Sequence, residues 1–508
     1  MKKTDRLFDL IRSLTRNEKG YFKKFSFIYS KEENNLYVKL FDLIDRQREY
    51  DEEALIAKFA KGKKNYNLST AKNFLYDRIL KSLEGYHAGR STAEVRSYLS
   101  QVEILIQKML HGQAEKILDK AEQIAVKNEH MELMPDILIK RIALWKVRKF
   151  NGINREEIAD TINQLATNLK SIYDLVSVYK FQSEYDLQYT AKGTISDKET
   201  LKEFEALIKT YEDSGISASG SFPVQVAYLL LLHSMCLFTD QVEKGYKANL
   251  LLLQLFEEDL ARIESRRHQY HHALARMVES QTRLRLYGEA AYQLEKLKKH
   301  TLPKTSGADV PYWSYYTLLL EIMMLRAAHD FAGLKKVIDK NMIPAQVKLF
   351  ESRNYDIQIK LEAAMIYFYV RDYDRVSDTL NELLNNPRNG VRPDFYCYAK
   401  LLLLITYWEM GNHAVMLSEV KSTRSFFESK LALLSSDKLL LRFIEKHHST
   451  DINARRMVPL FEQLKSDLLA SYTDQLNKRV GGYIDVGIWI DSKIQRKPVT
   501  EAVSPLTF

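Results

Sequence analysis

Residues 370–380 read VRDYDRVSDTL, and they mark a place where one helix ends and another begins. Residues 363–370 are apolar (AAMIYFYV), whereas those after Asp372 follow an amphipathic helical pattern. Gly and Asp suit such turns because both tolerate the conformations that end a helix, and Asp can also cap the next one. Similar turns occur near Gly112, Gly152, Gly193, Asp240, Gly288, Asp330 and Gly411.

The spacing of these turns is nearly constant. Successive gaps from Gly112 to Gly411 are 40, 41, 47, 48, 42, 42 and 39 residues. A helix pair of about 40 residues cannot bury its own apolar faces, so it must stack on its neighbours. The repeat therefore predicts an all-α protein in which about seven or eight helix pairs share one continuous core.

The composition agrees with a helical chain. Only 18 Gly and 10 Pro occur among 508 residues, which is a low supply of turn formers. This content disfavours a β-sandwich, a β-barrel and a Gly-rich nucleotide-binding fold. Hydrophobic residues make up 45% of the chain and charged residues 28%, so the sequence can form a full core and a charged surface.

Three of the turns carry a resemblance to a known family. Asp372-Tyr373-Asp374, Asp330-Phe331 and Gly411-Asn412 resemble the turn inside tetratricopeptide (TPR) repeats, where a turn residue and an aromatic residue precede the second helix. As an architecture the resemblance covers roughly residues 92–429, although the spacing exceeds the TPR value of about 34 residues. It implies a TPR-like, right-handed α-solenoid of antiparallel helix pairs with a period of about 40–48 residues.

The repeat also predicts a division into three parts. Residues 1–90 form a basic N-terminal helical bundle, residues 91–431 the repeat array, and residues 432–508 the capping helices with a frayed tail. Helices are predicted in the bundle near 5–14, 16–29, 35–47, 51–60 and 68–87, and Thr15 with Glu18 forms a capping box. The first 100 residues hold 21 Lys and Arg against 14 Asp and Glu, which accounts for most of the net charge of +9.

This basic head allows a nucleic-acid-binding interpretation. Its last three predicted helices fit a helix-turn-helix-like core over residues 36–87, and basic side chains near it could neutralise phosphates: Lys61, Lys63, Lys64, Lys72 and Arg78. The turn AKGKKNYN is longer than is usual for this motif, and Asp77 and Glu84 would repel a phosphate backbone. A solvated surface beside a structural bundle is the alternative.

Tyrosines on the apolar helices suggest a partner-binding face. Tyr312, Tyr316 and Tyr396 lie near the starts of two such helices, where packing between repeats is the alternative explanation. Tyrosine offers apolar area together with a hydroxyl group, which suits peptide recognition. Arg276 and Arg283 lie seven residues apart on one predicted helix and could hold acidic groups of the same peptide.

Metal and cofactor sites are not predicted. Glu264, His268 and His271 share one helix face at a spacing that could bind Zn²⁺, but Arg266 and Arg267 oppose a cation there. A polar helix face is the favoured interpretation. The two cysteines, Cys236 and Cys397, lie in apolar runs and are expected to be small core residues.

The sequence therefore favours a non-catalytic scaffold that binds a protein or peptide. It contains no P-loop, GxGxxG, GxSxG, HExxH or kinase motif, so no enzyme and no catalytic residue are predicted. Charged residues near the N-terminus and the short apolar runs predict a cytoplasmic protein without a membrane partner. The alternative is a regulator with a nucleic-acid-binding head and a peptide-sensing repeat body, a layout that resembles bacterial regulators.

Overall fold

Helices account for all regular secondary structure in the described part of the chain. The computed structural model describes residues 5–29, 33–47, 50–59, 68–87, 91–192, 195, 198–301, 309–341, 356–385, 393–430, 435–448, 455–471 and 486–502. These ranges form 25 α-helices, two short 3₁₀ turns and no β-strand, so the all-α prediction is confirmed. Among these residues no helix combines the length and apolarity that crossing a lipid bilayer requires.

The first compact unit contains the helices up to Ile172. They are α1 (Arg6–Ser13), α2 (Arg16–Tyr29), α3 (Glu33–Asp45), α4 (Glu52–Phe59), α5 (Leu68–Tyr86), α6 (Ser91–Gln107), α7 (His111–Lys127), α8 (Met134–Val147) and the first part of α9 (Arg155–Lys192).

The second unit begins at Tyr173 and includes residues 311–508. After α9 it contains α10 (Lys198–Glu212), α11 (Phe222–Phe238), α12 (Val242–Glu257), α13 (Leu260–Ser265), α14 (Arg267–Arg283), α15 (Tyr287–Thr301), α16 (Asp309–Ala327) and α17 (Phe331–Asn341). The later helices are α18 (Asp356–Tyr369), α19 (Tyr373–Asn385), α20 (Pro393–Glu409), α21 (His413–Lys430), α22 (Ser435–His447), α23 (Val458–Ser471), α24 (Val486–Gln495) and α25 (Val499–Ala502).

The helices of the head follow local sequence signals. The five predicted helices correspond to α1–α5, within a few residues at each end. The capping box is present, because Glu18 Oε2 accepts the Thr15 N–H at 2.8 Å and Thr15 Oγ1 accepts the Glu18 N–H at 3.3 Å. Apolar side chains of α1 to α5 then meet in one core around Ile11, Phe41 and Leu75.

Six of the turns between paired helices share one hydrogen-bond pattern. At the turn before α19, Asp372 N donates to Tyr367 O at 2.9 Å and Arg371 N donates to Phe368 O at 3.1 Å, which is the Schellman arrangement. The same pair of bonds recurs at each turn around the residue with positive φ: Met109, Asp240, Arg285, His329, Arg371 and Gly411. Only one of these is Gly, whereas Gly112 and Gly288 lie inside the helix that follows.

These turns join antiparallel pairs that pack on one another. In the second unit α11 packs on α12, α14 on α15, α18 on α19 and α20 on α21. The pairs are then stacked, because α12 contacts α14 and α19 contacts α20. The first helices of neighbouring pairs also touch, as α11 does with α14 and α18 with α20.

One stretch departs from the predicted repeat. A short second helix was expected after the turn at Gly152, but α9 continues for 38 residues. The reason is visible in the sequence, because residues 155–192 contain neither Gly nor Pro to end the helix. Gly193, where the next turn was predicted, lies outside the described residues. The two compact units divide inside α9, and the three-part division at residues 90 and 431 stays a prediction.

Gly245 provides a test of the close approach of α11 and α12. A Cβ atom at this position would lie 2.7 Å from Leu237 Cδ1 and 3.3 Å from Cys236 Cβ. We expect Gly245→Val to lower the free energy of unfolding by about 1–3 kcal/mol, because the larger side chain overpacks this contact. Gly112 has open space around it within α7, so Gly112→Ala should raise stability by about 0.5–1 kcal/mol. Urea unfolding of both variants would check these opposite signs.

Candidate functional site

The candidate site lies on the second unit, along one face of α14. Five polar side chains follow at spacings of four, four, three and four residues: His268, His272, Arg276, Glu279 and Arg283. This spacing places them along one side of the helix. The other sides of α14 are buried, and they carry Tyr270, Leu274 and Val278 into the core.

Two arginines of this face are fixed by the neighbouring helix α11. Arg276 Nη1 donates to Leu230 O at 2.9 Å and also contacts Ser234 Oγ. Arg283 Nη1 donates to Leu237 O at 2.9 Å. The two arginines are seven residues apart on α14, and the two carbonyls that they bind are seven residues apart on α11. The second contact therefore repeats the first, two helical turns further along. Within the described residues, Nη2 and Nε of both guanidinium groups remain available for another acceptor.

A buried histidine supports the first of these arginines. His233 on α11 is 1% exposed, with Nε2 2.9 Å from Ser280 Oγ and Nδ1 3.4 Å from Arg276 Nη1. Burial lowers the pKa of His233 well below its usual value, and the charges of Arg276 and Arg283 lower it further. The ring is therefore neutral at pH 7, and this geometry assigns Nδ1 as an acceptor and Nε2–H as a donor.

Tyr312 and Tyr316 of α16 lie beside the α14 face. The Tyr316 hydroxyl donates to Glu279 Oε1 at 2.8 Å, and the Tyr312 hydroxyl lies 3.4 Å from His272 Nε2. Burial and the Glu279 carboxylate raise the pKa of Tyr316 well above its usual value, so its hydroxyl stays protonated. The two tyrosine rings stack with centroids 5.8 Å apart, which leaves a half-buried aromatic surface.

The charges on this face are mixed. Arg276 and Arg283 supply positive charge, while Glu279 and the exposed Asp186 of α9 supply negative charge. Partial desolvation of the carboxyl group raises the pKa of Asp186, and Gln182 and the nearby Arg276 offset part of that rise. Burial lowers the pKa of His272 to about 3, so this ring adds no charge at pH 7. Such a surface offers anchored arginines for carboxylates next to aromatic rings for apolar groups.

The structure brings together four of the five predicted partner-binding residues. Arg276, Arg283, Tyr312 and Tyr316 share this face, whereas Tyr396 on α20 is only 8% exposed and belongs to a different part of the core. Sequence reasoning did not select His272, Glu279, Ser234 or Asp186. The periodicity of α14 contains a signal for the first two, but Ser234 and Asp186 join the face only through the packing of α9 and α11.

The residues of the head that were predicted to bind nucleic acid are only partly described by the structure. Lys61, Lys63 and Lys64 lie outside the described residues. Lys72 is held within the head, because its ammonium group contacts the Asp5 carboxylate, lies 2.7 Å from Tyr50 Oη and lies 3.3 Å from Glu52 Oε1. Burial alone would lower the pKa of Lys72, but Asp5 and Tyr50 raise it.

Arg78 is half-buried, with its guanidinium carbon 5.1 Å from the centre of the Phe74 ring. Internal partners therefore already engage Lys72 and Arg78, and nucleic-acid binding by the head stays a prediction. In the described ranges, no group of three or more His, Cys, Asp and Glu residues is arranged to hold a metal ion. Both Cys236 and Cys397 are buried free thiols, and burial raises the pKa of Cys236 to about 11.

A scan against protein-family models finds no match for this chain, and a search of curated proteins finds no similar sequence.

Proposed function

We propose that this chain is a non-catalytic scaffold that binds a peptide or an extended protein segment on the α14–α16 face. The observation that carries the proposal is the pair of guanidinium groups fixed by α11 beside the stacked Tyr312 and Tyr316. Arg276 and Arg283 would bind carboxylates of the partner, and the tyrosine rings would cover an apolar side chain. Fixing the side chains before binding lowers the entropy lost on association.

The repeated helix pairs support this proposal. In the TPR-like α-solenoid implied by the sequence, stacked pairs form an extended groove that is lined by the first helix of each pair. The candidate face lies on such first helices, because α11, α14 and α16 each precede a Schellman turn. A groove of this kind suits an extended partner better than a small molecule.

A peptide-display selection with the full chain tests the proposal. Random peptides are selected on the wild-type protein, and the affinity of the enriched peptides is measured by fluorescence anisotropy. We expect enriched sequences that combine acidic residues with an aromatic or aliphatic residue. The double substitution Tyr312→Ala with Arg283→Glu should weaken their binding at least about 30-fold, because it removes ring contact and reverses one charge.

The second helix of the same pair offers a matched control. Tyr292 and Lys299 are exposed on α15, so Tyr292→Ala with Lys299→Glu makes the same kinds of change away from the face. This variant should bind as wild type does. Equal loss of binding in both variants, with circular dichroism unchanged, would place the peptide site elsewhere and contradict the proposal.

A further inference from the structure

A second exposed surface lies on the first unit, between α6 and α7. The two helices form a shallow cleft of about 390 Å³ whose floor is apolar, made by Ile104, Leu105 and Ile117. The Ile104 side chain is 51% exposed, although isoleucine is among the residues most often buried. Lys116 and Lys120 lie at the rim of the cleft on α7, one helical turn apart.

The acidic residues of α7 and the rim lysines Lys116 and Lys120 lie on different sides of this helix. Its acidic residues are paired with α8, since Arg141 contacts both Asp119 and Glu122, and Arg148 contacts Glu115. On α6, Glu103 Oε1 accepts from Lys140 Nζ of α8 at 2.6 Å. The carboxylates nearest in sequence to the rim lysines are therefore engaged by α8. Within the described part of the chain, Lys116 and Lys120 form no ion pair.

We propose that this cleft binds an amphipathic, acidic helix of a partner protein. Aliphatic side chains of that helix would cover Ile104 and Ile117, and its Asp or Glu side chains would pair with Lys116 and Lys120. A groove between two antiparallel helices accepts a third helix by ridge-into-groove packing. α7 already contacts a further helix, α8. The excess positive charge selects an acidic partner over a basic one. This proposal concerns the first unit and does not rest on the proposed function of the second.

The test uses the full chain and a designed probe. The probe is a fluorescein-labelled peptide of about 18 residues, built from Leu and Glu so that Leu repeats every three or four residues. Fluorescence anisotropy should show binding that weakens as salt is raised, because the rim contacts are exposed ion pairs. Lys116→Glu with Lys120→Glu should weaken binding at least about tenfold, and Ile104→Ser should weaken it by a similar factor.

Two controls separate this site from general charge attraction. Lys146 and Lys170 are exposed elsewhere on the first unit, so Lys146→Glu with Lys170→Glu changes the net charge equally and should leave the affinity unchanged. A probe with Lys in place of Glu should not bind. Equal affinity of the wild type and the Lys116→Glu, Lys120→Glu variant would overturn the proposal. So would a dimer of the chain that Ile104→Ser dissociates, or binding to phosphatidylserine vesicles without binding to the peptide.

Discussion

Glu409→Ala should lower the free energy of unfolding of the second unit by about 3–5 kcal/mol, because it breaks a buried ion pair. Glu409 ends α20 and Lys493 lies on α24, with side chains 6% and 8% exposed and Nζ 2.6 Å from Oε2. The carboxylate also accepts Trp489 Nε1–H at 2.6 Å and the Tyr373 hydroxyl at 3.2 Å. The alanine variant leaves a buried ammonium group and an indole N–H without these partners, which is the costly outcome.

The loss should be concentrated where α24 meets α20. Trp408 and Trp489 are both 1% exposed with ring centroids 5.9 Å apart, so the emission of these two of the four tryptophans should change when this contact opens in urea. Limited proteolysis should cut the Glu409→Ala variant first near its C-terminal helices. The two measurements are complementary, because fluorescence records the packing around the tryptophans and proteolysis records the accessibility of the backbone.

Two further variants distinguish the buried pair from an ordinary ion pair. Glu445 and Arg424 are 41% and 40% exposed and pair at 2.7 Å, so Glu445→Ala should cost below about 1 kcal/mol. Glu409→Gln combined with Lys493→Met keeps an acceptor for Trp489 while removing both charges, and it should recover most of the lost stability. If Glu409→Ala costs no more than Glu445→Ala, the buried network does not hold α24 in place.

The sequence predicted the features that depend on neighbouring residues. The helices of the head follow from apolar periodicity and from the Thr15–Glu18 capping box, and both signals act within a few residues. The repeat turns that lie within the described residues are near their predicted positions for the same reason, and the turn predicted at Gly193 stays a prediction. Of the six residues with positive φ in these turns, only Asp240 and Gly411 coincide with a predicted turn residue. The others were not identified, because a Schellman turn accepts Arg285, His329 or Arg371 when the packing of both flanking helices fixes the backbone.

The features that depend on distant residues were not predictable in this way. Glu409 and Lys493 are 84 residues apart, and nothing in the local pattern around either residue indicates the other. Tyr396 was grouped with Tyr312 and Tyr316 because all three lie near helix starts, but only the packing of α20 decides that it is 8% exposed. Periodicity identifies a stripe on a helix, whereas the neighbouring helices determine whether that stripe faces the core or the solvent.

The second large effect is a loss of stability in mild acid. His271 is 2% exposed, and burial lowers its pKa to about 4, with His300, Arg267 and His268 adding to the shift. A histidine in the unfolded chain has a pKa near 6.5. Below that pH the His271 ring binds a proton in the unfolded chain but stays neutral in the folded chain. The free energy of unfolding therefore falls as pH drops from about 6.5 to about 4, on the order of 3 kcal/mol for His271 alone. His272 and His233 act in the same direction, because burial also lowers their pKa values.

His271→Phe separates this residue from every other acid-sensitive group. The ring packs edge-on against Trp313 at 5.2 Å, and Nε2 is buried with no hydrogen-bond partner in the described residues, so a phenyl ring should fit there. Urea unfolding between pH 7.5 and 4.5 should give the variant a shallower pH dependence and, at the acid end, a higher stability than wild type. His413 is exposed on α21, and His413→Asn should keep the wild-type slope. A wild-type slope in His271→Phe would assign the acid sensitivity to other groups, because a phenyl ring cannot bind a proton in either the folded or the unfolded chain.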